Sequence, residues 1–95
     1  MAKRKEKVTR VIDGDTFLTA SRKHPVRLAN VDTPEKRAKG GPAATKRLRE
    51  MIHGESVRVN VVARDVYGRA VAKVYHGTKL VNRAMNRKSG RSTKR

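Results

Sequence analysis

The chain has 95 residues, 25 of them Lys or Arg against 8 Asp or Glu, for a formal net charge of +17 at pH 7. Hydrophobic residues are 36% and aromatics 3%, with no cysteine, so one modest aliphatic core is expected and disulfide, thiol and zinc–cysteine chemistry are excluded. No apolar run could span a bilayer or serve as a secretory leader after Met1, which reads as a cytoplasmic protein with no membrane role; the excess positive charge calls for nucleic acid.

In chain order, residues 1–7 read as a basic leader. Val8–Ile12 reads as a strand, Asp13-Gly14-Asp15 as a turn and Thr16–Ala20 as the returning strand, because Asp-Gly between β-branched runs is a hairpin signal. Val26–Val31 is a third strand, and Asp32–Gly41 a loop rich in Lys, Arg and Gly. Pro42–His53 is a helix with Pro in its first turn and Gly54 as its stop; Ala44, Leu48, Met51 and Ile52 share one face. Val57, Val59 and Val61 alternate with Arg58 and Asn60 as in a half-buried strand. Asp65–Arg69 is a turn, Ala70–Tyr75 a strand, and Lys79–Arg87 a short helix. Residues 89–95 form a basic, solvated tail after a single domain over 8–88. Five strands with a helix after the third is the order of an OB-fold barrel: a mainly β, α+β domain with one main helix and a short C-terminal one.

Four short stretches hold the chemistry. Asp13 and Asp15 bracket a glycine; a hairpin turn accounts for Asp13, but nothing in a turn requires the second acid. Asp15 opens the second strand and Asp32 closes the third, so an antiparallel pair would bring their carboxylates together around a shared cation. Calcium suits such oxygen donors, since no His or Cys lies at a softer-metal spacing. Thr33-Pro34-Glu35 could cap a helical turn, yet Glu35 is also placed to serve as a general base on water. Arg27 is either a solvated strand residue or a phosphate ligand. Arg69 follows Tyr67-Gly68, a turn that can aim a guanidinium at phosphate oxygens. Asp65 reads as a brace for that turn. His24, His53 and His76 receive no catalytic role.

From about Arg10 to Met85 the chain resembles the staphylococcal nuclease family. The resemblance rests on Arg-Val-Ile-Asp-Gly-Asp-Thr, Val-Arg-Leu, Val-Asp-Thr-Pro-Glu, Gly-Pro-Ala-Ala, Tyr-Gly-Arg and Leu-Val-Asn, in that order and spacing. It implies the OB fold and a Ca²⁺-dependent nuclease that cleaves the 5′ P–O bond of DNA or RNA and leaves 3′-phosphate ends. It further implies that Asp15 and Asp32 ligate Ca²⁺ through side chains and Thr33 through its carbonyl, with Asp13 and Glu35 reaching the ion through water. Glu35 would be the base, Arg27 and Arg69 would clamp the phosphate, Tyr67 would lie against the nucleotide, and Asn82 would be a structural anchor. Relative to that family the loop over Lys36–Gly41 is short, Val66 replaces a lysine, and the chain ends soon after the second helix. The alternatives are a non-catalytic OB-type nucleic-acid-binding module and a ribosomal-type RNA-coating protein. A monomer is expected.

Overall fold

The computed structural model describes residues 5–31 and 40–89. The elements are β1 (Lys5–Asp13), β2 (Thr16–Thr19), β3 (Val26–Leu28), α1 (Gly41–Ile52), β4 (Ser56–Arg64), β5 (Ala70–His76), β6 (Lys79–Leu80) and α2 (Val81–Ser89). Residues 1–4 of the expected leader, residues 32–39 of the expected loop and residues 90–95 of the expected tail lie outside the described residues.

The strands run in the order β3-β2-β1-β4-β5-β6, and β3 pairs again with β5. That second pairing closes β1 to β5 into a ring of five strands, the OB-like, mainly β arrangement expected. All pairings are antiparallel except β3–β5, which is parallel and registers Val26 with Ala70 and Leu28 with Ala72. The first half of β5 thus meets β3, while Tyr75 and His76 at its far end pair with the two-residue β6.

Inside the ring, alternate residues form one core. Val8, Val11, Phe17, Val26, Leu28, Val57, Val59, Ala72 and Val74 meet Ala44, Leu48 and Ile52 of α1 and Val81 and Met85 of α2. This is the helix face expected from the sequence, with Met51 half-buried at its margin. Pro42 stands in the first turn of α1 and the His53 N–H bonds the Arg49 carbonyl at its end. The chain then docks at once on β1: Gly54 N–H donates to Val8 O at 3.0 Å and Val8 N–H to Glu55 O at 2.9 Å.

The short C-terminal helix spans Val81–Ser89 rather than Lys79–Arg87, because Lys79 and Leu80 pair with the end of β5 as β6. Three further boundaries differ from the sequence reading, each for a physical reason. β3 stops at Leu28 rather than Val31, because Asn30 adopts a positive φ of 59° and turns the chain out of the sheet. β4 runs on to Arg64 through an irregularity between Val61 and Ala63 that keeps it paired to β5. β1 begins at Lys5, inside the stretch read as a leader, because Glu6 is a buried partner rather than a solvated charge. Its Oε1 accepts from Thr19 and Ser21 at 3.1 Å each, and Arg22 grips both carboxylate oxygens at 2.8 and 2.9 Å.

Asn82 is the second polar clamp, and it acts as the anchor expected of it. Its Oδ1 accepts from Val74 N–H at 2.8 Å, and its Nδ2 donates to the carbonyls of Ala29 and Ala72 at 2.9 Å. Ala72 O also receives Ala29 N–H at 2.8 Å, so one buried amide ties α2 to both sides of the β3–β5 seam.

Two predictions test these clamps. Asn82→Ala strands buried backbone groups and should cost about 2–3 kcal/mol, lowering the melting temperature by roughly 8–24 °C for a domain of this size; a thermal melt beside the parent chain measures it. Glu6 supplies the pH test. Burial pushes its carboxyl up, but the bonds from Arg22, Thr19 and Ser21 and the Arg22 charge outweigh it and leave the pKa lowered. A lowered acid pKa gives stability that is present above the unfolded value, about 4.3, and is lost as pH falls through the folded one. Melts from pH 6 down to pH 3 should therefore show the parent losing more stability than Glu6→Gln.

Candidate active site

The β1–β2 hairpin delivers the first carboxylates. Asp15 N–H donates to Asp13 Oδ1 at 3.1 Å, the side-chain turn that Asp favours. Asp13 thus braces the turn, as its simpler reading held. Asp15 is turned toward its neighbours instead: Thr16 Oγ1 donates to its Oδ1 at 2.8 Å, and Arg27 Nη2 stands 3.4 Å from its Oδ2.

That ion pair follows from register. β2 and β3 are antiparallel, as expected, with Thr16 opposite Arg27. Arg27 is not simply a solvated strand residue. It is half-buried and donates to the carbonyls of Leu28 at 3.2 Å and Val31 at 3.4 Å. One guanidinium therefore links Asp15 to the backbone immediately before Asp32. Leu28 N–H also donates to Asp15 O at 2.8 Å. Asp32, Thr33 and Glu35 themselves lie outside the described residues.

Arg69 arrives from the other side of β3. Val26, Leu28, Ala70 and Ala72 are buried in the core, so Arg27 takes the outward phase of β3, and Arg69, the residue just before β5, precedes the inward Ala70. The turn before β5 is built around Asp65. Its Oδ1 accepts from the N–H groups of Tyr67 at 3.0 Å and Arg69 at 2.9 Å, and its Oδ2 accepts from Arg69 Nε at 2.5 Å. Gly68 takes φ +84°, a left-handed conformation that a side chain would strain. The Arg69 guanidinium lies 5.5 Å from the centre of the Tyr67 ring, and Tyr67 is 78% exposed, an aromatic face open to solvent. Asp65 is thus the brace expected of it; its carboxyl, raised by burial, is lowered overall by the Arg69 and Tyr67 bonds and the Arg69 charge.

Two further side chains bear on these elements. Thr16 holds Asp15 by its hydroxyl, and its place next in sequence was the available signal. His24 lies against Gly68, with ring atoms 3.7–4.0 Å from where a Cβ would stand, a contact with no local signature.

Asp15 carries the electrostatic strain of the site. Burial first, and then the neighbouring Asp13 carboxylate, push its carboxyl above the usual range, against the opposing pull of Thr16 and Arg27. Carboxylate oxygens kept partly out of water are donors suited to a hard cation. Among the described residues no three His, Cys, Asp or Glu side chains cluster closely enough to hold a metal by themselves. Asp13 and Asp15 are the site's described carboxylates, and Arg27 links Asp15 to the carbonyl of Val31, just before Asp32.

The model of a family described as staphylococcal nuclease homologue matches residues 25–91. The chain belongs to this family. The match takes in Arg27, Asp32, Glu35 and Arg69, while Asp13 and Asp15 precede it. Among relatives, an uncharacterized endonuclease of Escherichia coli O157:H7 is 41% identical over 71 residues, covering 73% of this chain and 46% of the relative. A micrococcal nuclease of Shigella flexneri is 37% identical over 70 residues, covering 72% and 40%. A staphylococcal-like nuclease of Arabidopsis thaliana is 34% identical over 68 residues, covering 72% and 21%. The chain therefore spans less than half the length of these family relatives.

The Asp15 geometry gives a third prediction. An acid whose folded pKa is raised lends stability below its unfolded pKa, and that stability is lost as pH rises through the folded value. Without divalent cations, the parent chain should lose stability relative to Asp15→Asn as pH rises from about 4 toward neutrality. Paired melts in chelator-containing buffers measure the difference.

Proposed function

We propose that this chain hydrolyses phosphodiester bonds of DNA or RNA with the help of Ca²⁺. The observation that carries the reading is the pair Arg27 and Arg69 on one outward surface, with Arg27 tied both to Asp15 and to the backbone entering Asp32. Two guanidiniums beside hard-cation donors are what a dianionic phosphoryl transition state needs.

Asp15, Asp32 and the Thr33 carbonyl would hold the cation, with Asp13 and Glu35 reaching it through water. A bound Ca²⁺ supplies neutralisation of phosphate charge and orientation of a water. Arg27 and Arg69 donate to the phosphate oxygens, and Asp65 keeps the Arg69 guanidinium from swinging away. Glu35 takes a proton from the attacking water as the new O–P bond forms. The P–O5′ bond breaks in line, Arg69 supports the departing oxygen, and a proton returns to it, leaving a 3′-phosphate and a 5′-hydroxyl. Tyr67 offers its exposed ring to the nucleotide. The net charge of +17 draws the polyanion to the surface.

Cleavage of single- and double-stranded DNA and RNA, with Ca²⁺ and with a chelator, tests the proposal. Hydrolysis should need Ca²⁺. Glu35→Gln should lower kcat by about 10²–10⁴-fold, as for loss of a general base. Arg69→Lys should lower it by about 10²–10³-fold, as for loss of a transition-state donor, with little change in polynucleotide affinity. Binding by the pure folded chain with no cleavage of any of the four substrates would overturn the enzyme and leave a nucleic-acid-binding module of the same family.

A further inference from the structure

The far end of β5 carries a second basic and aromatic cluster that the proposed active site does not use. Lys5 of β1 pairs with Arg58 of β4, and Arg58 pairs with Tyr75 of β5, so three side chains form one cross-strand row. The Arg58 guanidinium lies 5.9 Å from the centre of the Tyr75 ring and donates to Gly77 O at 2.9 Å. These residues line a surface groove of about 630 Å³. Glu55 also borders it, within 3.5 Å of His76 Nε2.

The groove is joined to the candidate site by strand phase. Val59, Val61, Ala72 and Val74 point inward or toward the core, so their neighbours face out. Asn60 and Lys73 form the next outward pair, and Val71 follows, registered with Arg27 across the β3–β5 seam. From Tyr75 back to Arg69 the outer face of β5 is a ribbon about 20 Å long at the rise of a strand. It has guanidiniums and an aromatic ring at each end, Arg69 over Tyr67 and Arg58 over Tyr75.

We propose that this outer face of β4 and β5 is a track for a single nucleic-acid strand. Phosphates follow Lys73, Arg58 and Lys5, and a base stacks at the Tyr75 groove while another part of the strand occupies the site at Arg27 and Arg69. Cations paired with aromatic side chains are the usual equipment for binding single strands, and one small β-domain of this class typically covers about 4–16 nucleotides. The track rests on the nucleic-acid part of the reading above and does not require cleavage.

The test is the salt dependence of binding to a fluorescent 20-nucleotide single-stranded DNA in chelator, where the proposed cleavage is off. Lys5→Ala/Lys73→Ala removes two track charges and keeps the Arg58 bond to Gly77. Lys46→Ala/Arg49→Ala removes two exposed charges from α1 and serves as the control. Melting curves establish that both fold. Each phosphate contact contributes about 0.7 to the slope of log K against log salt for a single strand. The track variant should lower that slope by about 1.4, and the control by clearly less. A track variant that lowers it no more than the control overturns the track, whatever the parent chain cleaves. If the slope falls as expected while the parent chain cleaves nothing in Ca²⁺, the track stands and the enzyme reading falls.

Discussion

The parallel seam between β3 and β5 is the constraint on which the rest depends. Without it, β1 to β5 would be an open sheet with two edges. With it, the core is enclosed, and Arg27 and Arg69 are brought from distant parts of the chain to one surface. The seam is short, three residues on each side, so it is held by more than its own ladder. Asn82 supplies the remainder, satisfying three backbone groups at the point where the chain leaves β3. A buried amide with its groups satisfied fixes one arrangement, since any slip leaves polar atoms without water or partners.

Charge is organised at two scales. Globally, the surface is so cationic that compaction works against self-repulsion. Locally, the few acids are placed where they do structural or chemical service. Glu6 closes the N-terminal end of β1 onto the segment after β2, and Asp65 folds the turn that presents Arg69. Asp15 differs from both: its pKa is raised where those of Glu6 and Asp65 are lowered. The first two are satisfied within the fold, whereas Asp15 holds charge that the fold alone leaves at a cost. That contrast separates the two braces from Asp15 in physical terms.

Much of the fold was legible from local pattern. The alternation Val57, Val59, Val61 marked β4, Asp13-Gly14 marked the first hairpin, and Ala44, Leu48 and Ile52 marked the buried face of α1. Of the site, the turn role of Asp65 and the adjacency of the β2 start to the β3 end followed from turn chemistry and strand direction. What was not legible depends on distance along the chain. Glu6 among lysines looks solvated, because its partners Thr19, Ser21 and Arg22 come from another turn. The early end of β3 at Leu28 turns on the positive φ of one residue, Asn30, inside an otherwise strand-like run. The pairing of β3 with β5 left no trace in periodicity, since each strand alternates equally well beside any neighbour.

The seam also bears on how the molecule comes into being. Val26 pairs early with Phe17, but its partner across the seam exists only when Ala70 is available, and the clamp needs Asn82, later still. Contacts between residues so far apart in sequence carry a loop-closure cost and tend to form slowly. On a ribosome, the segment through α1 would emerge with β3 still an unpaired edge and Arg69 not yet made. The chain would therefore remain a cationic but incomplete ring until the residues through Asn82 had been made. On the proposed reading, the power to cut a nucleic acid would be acquired only once Arg69 and then Asn82 had been added and the seam had closed.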